Sequence, residues 1–205
     1  MCFFFKPAKD IQLLEKRFEL EVADHLVGDF FDSPTEIYNG FAHPFLPIIT
    51  NINRGRIRFF QWGLLPQWAK EKSFQKNTLN ARLETLNEKP SFKENLQNRC
   101  LVPAKGFVEW QWQDPKGKEK IKYFIEIEGS PIIAFAGLWS EWVDKSTGEI
   151  IPTFTIITTE ANEFMAEIHN TKKRMPVILT PESENEWLEK GIITMWNEKL
   201  TAHAI

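Results

Sequence analysis

No apolar run in the chain approaches the roughly 18 residues needed to cross a bilayer, so no membrane span is expected. The start of the chain also lacks a basic segment leading into an apolar stretch and a small-residue cleavage point. Secretion is therefore not expected, and the cytoplasm is the expected compartment. Cysteine is scarce: Cys2 and Cys100 are the only two. That count excludes a disulfide framework, and no Cys or His spacing matches a zinc site. No glycine-rich phosphate loop and no GxSxG turn occurs. No metal and no cofactor is expected. A surplus of positive charge is missing as well, since 25 Lys and Arg against 28 Asp and Glu give a net charge of −3. Nucleic acid could then be bound only through a local positive face.

What is present suits one folded unit spanning 1–205, with 42% hydrophobic residues and 8 Trp and 17 Phe to build a core. Ile11, Leu14, Phe18 and Val22 share helical spacing, which predicts an amphipathic helix over 9–22. Residues 37–50, with Asn39-Gly40, Pro44 and Pro47, read as turns and irregular extended chain. Strands are predicted over 56–64 and 154–159. Residues 100–112 read as two strands around a proline turn, and Asp114-Pro115-Lys116-Gly117-Lys118 as a hairpin turn before a strand over 122–128. Further strands are predicted over 132–142 and 177–180. Helices are expected over 91–98, 161–168 and 182–190. Strands joined by hairpins outnumber helices, so the expected class is α+β, a β-rich domain with a curved, mainly antiparallel sheet and peripheral helices.

The chemistry begins at Met1-Cys2. An initiator methionine before a small side chain is a substrate for excision, which would leave Cys2 with a free amine beside its thiol. Such a 1,2-aminothiol condenses with an aldehyde, amine first and thiol second, into a five-membered thiazolidine. Reference pKa values near about 8 for the amine and about 8.5 for the thiol put both within a modest shift of neutrality. An alternative reading makes Cys2 merely the first residue of a hydrophobic strand.

Four other stretches could carry function. Asn80 and Arg82 lie two apart on extended chain and point the same way. The amide could hold an amine and the guanidinium a phosphate. Glu109, between Val108 and Trp110, would gain a raised pKa if buried and could then move protons. His169 ends a predicted helix, whose C-terminus would raise its pKa and make it an acid. Lys172, Lys173 and Arg174 after it are the densest positive run. Arg54, Arg56 and Arg58 share one face of a strand leading to Trp62 and Trp68, an arrangement suited to phosphates and stacked bases. For each stretch a solvated strand face, a loop or a packed core is the competing reading.

Taken in order, these residues resemble the SRAP (SOS response-associated peptidase) family, whose members cross-link to abasic sites in DNA. The likeness rests on Cys2 after Met1, Trp62-Gly63-Leu64-Leu65-Pro66 with Trp68, Asn80-Ala81-Arg82-Leu83-Glu84-Thr85, and Arg99-Cys100-Leu101-Val102-Pro103-Ala104. It continues through Gly106-Phe107-Val108-Glu109-Trp110, Phe135-Ala136-Gly137-Leu138-Trp139, Phe154 to Asn162, His169 and Arg174-Met175-Pro176-Val177-Ile178-Leu179. The resemblance implies a β-rich α+β fold with a positive channel for single-stranded DNA ending at the cysteine. It implies Cys2 as nucleophile, Asn80 positioning it, Glu109 assisting proton transfer and His169 acting on the sugar oxygen. Arg82 and Arg174 would hold flanking phosphates, and Trp62 and Trp68 would stack or shape the channel. Where members commonly continue Cys-Gly-Arg, this chain has Cys2-Phe3-Phe4. The work of the missing arginine thus falls to Arg54, Arg56 and Arg58 as replacement phosphate contacts, and Lys172 and Lys173 are further candidates for binding DNA.

The implied activity is a covalent thiazolidine cross-link to abasic single-stranded DNA, with weak lyase and self-releasing peptidase activity, by a monomer. Two other readings stay open from the residues. One is an N-terminal-nucleophile cysteine peptidase, in which the thiolate attacks an amide. The other is a non-covalent single-strand binder.

Overall fold

The computed structural model describes the chain apart from Met1, residues 23–26, 53–54 and 197–198, and the side chain of Val27. Arg54 therefore lies outside the described residues. The first half contains β1 (Phe4–Pro7), α1 (Ile11–Phe18), β2 (Glu21–Val22), α2 (Val27–Phe31), β3 (Tyr38–Asn39), β4 (Phe45–Thr50), β5 (Arg56–Trp62), β6 (Asn80–Arg82) and α3 (Pro90–Lys93). The second half contains β7 (Arg99–Trp112), β8 (Lys120–Ile127), β9 (Ile133–Val143), β10 (Ile150–Glu160), α4 (Glu163–Ile168), β11 (Arg174–Pro176), β12 (Ile178–Leu179), α5 (Glu184–Lys190) and β13 (Leu200–Ala204). Among the described residues no helix is long and apolar enough to cross a membrane.

The expected curved sheet closes on itself. β9 pairs with β10, β10 with β5, β5 with β4, β4 with β7, and β7 returns to β9. Closure leaves these five strands without a free edge. All the pairings in this ring are antiparallel except β10 with β5. β1, β3 and the β8–β13 pair extend β7 beyond the ring.

Period-2 alternation sorts the apolar residues of the ring into two cores. Ile48, Phe60, Trp62, Val102, Phe135 and Phe154 belong to one cluster. Their neighbours Ile49, Ile57, Leu101, Ala134 and Ala136 pack in the other, with Leu14 of α1 and Trp187 and Leu188 of α5. Strands flanked by apolar matter on both faces read as near-continuous hydrophobic runs, which is how β9 and β10 look in sequence.

Three expectations are corrected. The helix expected over 9–22 stops at Phe18, because Glu19 takes a left-handed conformation (φ 55°) and its N–H caps onto the Glu15 carbonyl. Val22 then pairs with Ile57 in a strand. The proline turn expected within 100–112 does not exist. β7 runs unbroken for 14 residues. Pro103 pairs in register with Ala134 of β9, and past it the strand changes partners, meeting β8 from Phe107 onward. The helix expected over 91–98 shortens to Pro90–Lys93.

Candidate active site around Cys2

The site is assembled by strands that meet at the start of β1. Phe4 of β1 lies opposite Val108 of β7, so one step back along the register sets residue 109 beside residue 3 and next to Cys2. From another side comes β6, which runs parallel to β10 with Asn80 opposite Ile156. β5 feeds β6 through a sharp turn at Gly63, whose φ of +114° disfavours any L side chain, and where a Cβ would lie 2.8 Å from that of Gln75. Trp62, just before this turn, donates from Nε1 to the Leu79 carbonyl at 2.9 Å and so fixes the backbone next to Asn80.

Cys2 is fully buried. Its carbonyl accepts a 3.0 Å hydrogen bond from Asn80 Nδ2. Asn80 Oδ1 is also buried and has no hydrogen-bond partner among the described residues. An acceptor of this kind, left empty beside the residue it already holds, is a seat for one more donor. Burial pushes the Cys2 thiol far above its ordinary pKa, and the Glu109 carboxylate pushes it further the same way. The thiol is held as S–H at neutral pH.

Glu109 is 4% exposed, and burial raises its pKa to about 7. At neutral pH it is therefore close to half protonated, the condition under which one carboxyl both takes and returns a proton. His169 is also buried and caps the end of α4. Its Nδ1 lies 2.8 Å from the Arg174 carbonyl. A carbonyl only accepts, so this short contact outweighs the 3.4 Å approach of the Arg174 N–H to the same nitrogen and favours the Nδ1–H tautomer, with Nε2 as the acceptor nitrogen. Desolvation lowers the His169 pKa and outweighs the hydrogen bond to Arg174 that works against it. The protonated imidazole expected from the helix terminus is thus corrected to a neutral one. Glu109 Oε1 stands 3.7 Å from His169 Nδ1. That is too long for a hydrogen bond, and with both groups pushed toward neutrality we read it as a contact rather than an ion pair.

The residues expected to bind DNA divide. Arg82, Arg56, Lys172 and Lys173 are exposed. Arg58 is partly exposed, stands 3.8 Å from Glu141 and lies over the Phe60 ring at 5.5 Å. Trp68 is 44% exposed and packs edge-on against Phe74 at 5.1 Å. Two assignments are corrected. Trp62 is completely buried, with its ring stacked at 14° to Phe154. Buried, it cannot stack on a base, and its Nε1–H instead holds the Leu79 carbonyl. Arg174 is 7% exposed, with its two terminal nitrogens 2.8 and 2.9 Å from the Glu84 carboxylate and one of them 2.8 Å from the Thr158 carbonyl. Its two terminal nitrogens are committed within the protein rather than offered to a phosphate, while Nε is buried without a partner among the described residues.

Sequence reasoning assigned no role to Glu84, though it lay in the quoted Asn80–Thr85 block. Held by the hydrogen bonds from Arg174, its carboxyl falls to about 2, so the pair is ionised across the physiological range. Through the Arg174 carbonyl this clamp also sets the His169 ring. The four residues between His169 and Arg174 loop out without parting them, because Lys173 N–H returns to the His169 carbonyl at 2.9 Å.

Similar proteins place the chain. It is 47% identical over 144 residues to "Abasic site processing protein YoqW" of Bacillus subtilis (strain 168), covering 70% of this chain and 62% of that protein. It is 33% identical over 151 residues to "Abasic site processing protein HMCES" of Xenopus tropicalis, covering 64% of this chain and 44% of that one. The chain thus spans less than two thirds of the length of these curated relatives. A crystal structure of a protein from Bacteroides thetaiotaomicron superposes with a TM-score of 0.88 at 35% identity, over 100% of this chain and 92% of that one. One from Bordetella bronchiseptica, at 19% identity and a TM-score of 0.81, shares the fold over 100% of this chain and 99% of that one. With the family described as SOS response associated peptidase (SRAP) matching residues 1–204, the chain belongs to the SRAP family.

Proposed function

We propose that the protein senses abasic sites in single-stranded DNA and traps them as a thiazolidine on Cys2 once Met1 has been removed. The observation that carries this reading is Asn80. One end of its amide holds the Cys2 carbonyl at 3.0 Å, and the other end is a buried, unpartnered acceptor. A freed Cys2 amine would supply the missing donor and be held with its lone pair available to an aldehyde.

An abasic site exists partly as a ring-opened aldehyde. Neutral His169, acting through Nε2, exchanges a proton with the sugar oxygens and favours opening. The amine adds to the aldehyde carbon, and loss of water gives the imine, with Glu109 delivering and recovering the protons. The thiol then adds to the same carbon. The C–S bond forms as the C=N bond becomes single, and the thiol proton ends on nitrogen. Because burial keeps the thiol protonated, the amine reacts first. Arg82, Arg56, Arg58, Lys172 and Lys173 would steer the strand by its phosphates, with Trp68 stacking a base. One copy of the chain suffices, and the cytoplasm is the compartment in which it would act. Self-release by a peptidase step and weak strand cleavage from the imine belong to the same reading.

The test is denaturing electrophoresis of the processed protein mixed with abasic and with intact single strands. A heat-stable band with the abasic strand alone is expected. Equal retention of both strands without a covalent band would overturn the proposal in favour of simple binding, and turnover of a peptide without DNA in favour of a hydrolase.

A further inference from the structure

The arms that bring Asn80 and His169 to the site lie on opposite edges of one strand. β10 carries β6 along one edge, with Asn80 beside Ile156 and Arg82 beside Thr158. Along its other edge runs β11, with Arg174 opposite Glu160 and Pro176 opposite Thr158. Each of these flanking strands is only three residues long. So short a strand forms few ladder hydrogen bonds, and side chains must hold what the ladder does not.

The Glu84–Arg174 ion pair closes over that strand. Glu84 sits in the 3-10 turn Leu83–Thr85, directly after β6 and its Asn80. Arg174 opens β11, and its carbonyl holds the His169 ring at 2.8 Å. Thr158 and Thr159 of β10 stand between them. The Thr158 carbonyl accepts from an Arg174 nitrogen at 2.8 Å, and the Thr159 hydroxyl donates to Glu84 Oε1 at 3.2 Å. One carboxylate is thus tied to both edges and to the strand between. Its place works against DNA binding. The Glu84 side chain is 40% exposed, two positions from Arg82, where a negative charge repels the phosphates that the rim would draw in. What it offsets is the buried guanidinium of Arg174, which is costly to hold in place without a counter-charge.

We propose that Glu84 is a positioning residue for the cross-linking reaction, holding the Asn80 and His169 arms in one geometry. The proposal rests on the reading of the protein as an abasic-site trap and names the side chain that keeps its two halves aligned. Glu84 touches no reacting atom and moves no proton, since its carboxyl, at about 2, stays ionised throughout the working range. Losing the fork loosens the start of β11, where the Arg174 carbonyl meets the imidazole. It also loosens the turn behind β6, where Asn80 is anchored.

The experiment reads binding and chemistry separately in the processed protein. Glu84→Gln should slow adduct formation at saturating abasic strand by tens of fold, within the roughly 100-fold that a misplacement of about 1 Å can cost. Its affinity for an intact single strand, by fluorescence anisotropy, should hold or tighten, because a repelling charge is gone. A general loss of folded protein would lower both. Two signals need no DNA. Heteronuclear NMR of the His169 ring, assigned by its loss in His169→Gln, should show the Nδ1–H tautomer in the unaltered protein and a mixture in Glu84→Gln. The Asn80 side-chain amide should exchange its protons faster in the variant. Glu84→Asp keeps the charge and shortens the reach, so it should fold and bind as before and still react slowly, which carries the test if Glu84→Gln does not fold. An unchanged rate at saturation, ring and amide signals that stay as they were, or an affinity that falls in step with the rate would overturn the proposal. If the unaltered protein forms no adduct with abasic DNA or with glycolaldehyde, the abasic-site reading itself fails, and the ring and amide signals still decide whether Glu84 aligns the two arms.

Discussion

The residues around Cys2 and those on the exposed rim obey different physics. In the centre Cys2, Glu109 and His169 are buried, each is shifted in the direction that favours its neutral form, and each is fixed by strand register or by a hydrogen bond to backbone. On the rim Arg82, Arg56, Lys172 and Lys173 stand in water. In the proposed reaction a group in the centre would act through its position and protonation state, so removing it should stop a step. A rim cation would act through a screened field shared with its neighbours, so removing it should weaken binding only a little.

The sharpest way to break this contrast is Cys2→Ala. The heat-stable adduct should vanish, while affinity for intact single strands stays as it was by fluorescence anisotropy. A surviving stable adduct would place the chemistry elsewhere. Next, Glu109→Gln should slow adduct formation by roughly 100-fold, the usual reach of one proton-transfer group. The unaltered protein should show a limb in its pH–rate profile near 7, and the variant should lack it.

Stability offers a second readout of the same carboxyl. The folded pKa of Glu109 is raised from its ordinary 4.5 to about 7. The folded state therefore binds the proton more tightly, and its stability falls as pH rises between those values and levels off above them. Glu184, raised to about 7 by burial beside Arg17, adds a fall in the same window. The Tm of the unaltered protein should drop from pH 5 to pH 8, and Glu109→Gln should lessen that drop by its own share.

Trp62 and Trp68 restate the contrast six positions apart. Trp62→Ala should cost about 3–5 kcal/mol by denaturant unfolding, as a buried indole removed from a packed core does. It should also slow cross-linking, because Leu79 and with it Asn80 lose their tether. Trp68→Ala should stay within about 0.5 kcal/mol in stability and show its effect in DNA affinity. The smallest effect belongs to the rim: Arg82→Ala should weaken binding several-fold and reduce the slope of log affinity against log salt by about 0.7. A change in rate at saturating DNA would move Arg82 from the rim into the centre.

Much of this was legible beforehand. Period-2 runs and turn residues gave most of the strands, while the family resemblance rather than any spacing pointed to Cys2, Asn80, Glu109 and His169 as one group. What escaped depended on the third dimension. Alternate arginines leading to Trp62 look like a binding face, and Trp62 shares their parity, yet by the end of the strand that face is covered and the indole is fully buried. Arg174 looks like a phosphate clamp until Glu84, 90 positions away, is seen to fill its fork at 2.8 and 2.9 Å. The sign of the His169 shift could not be read from its place at a helix end, because burial decides it.

The loop between His169 and Arg174 has one more consequence. Its ends are closed on each other, and Asn170 grips the backbone of Trp112 with both ends of its amide, at 3.1 and 2.8 Å. Thr171 and Lys172 hang outside that frame, exposed. Chain length is therefore free there while the imidazole beside it is not. A fluorophore or short peptide grafted between Thr171 and Lys172 would ride next to the proposed cross-linking centre and should report DNA capture while leaving Cys2, Glu109 and His169 in place.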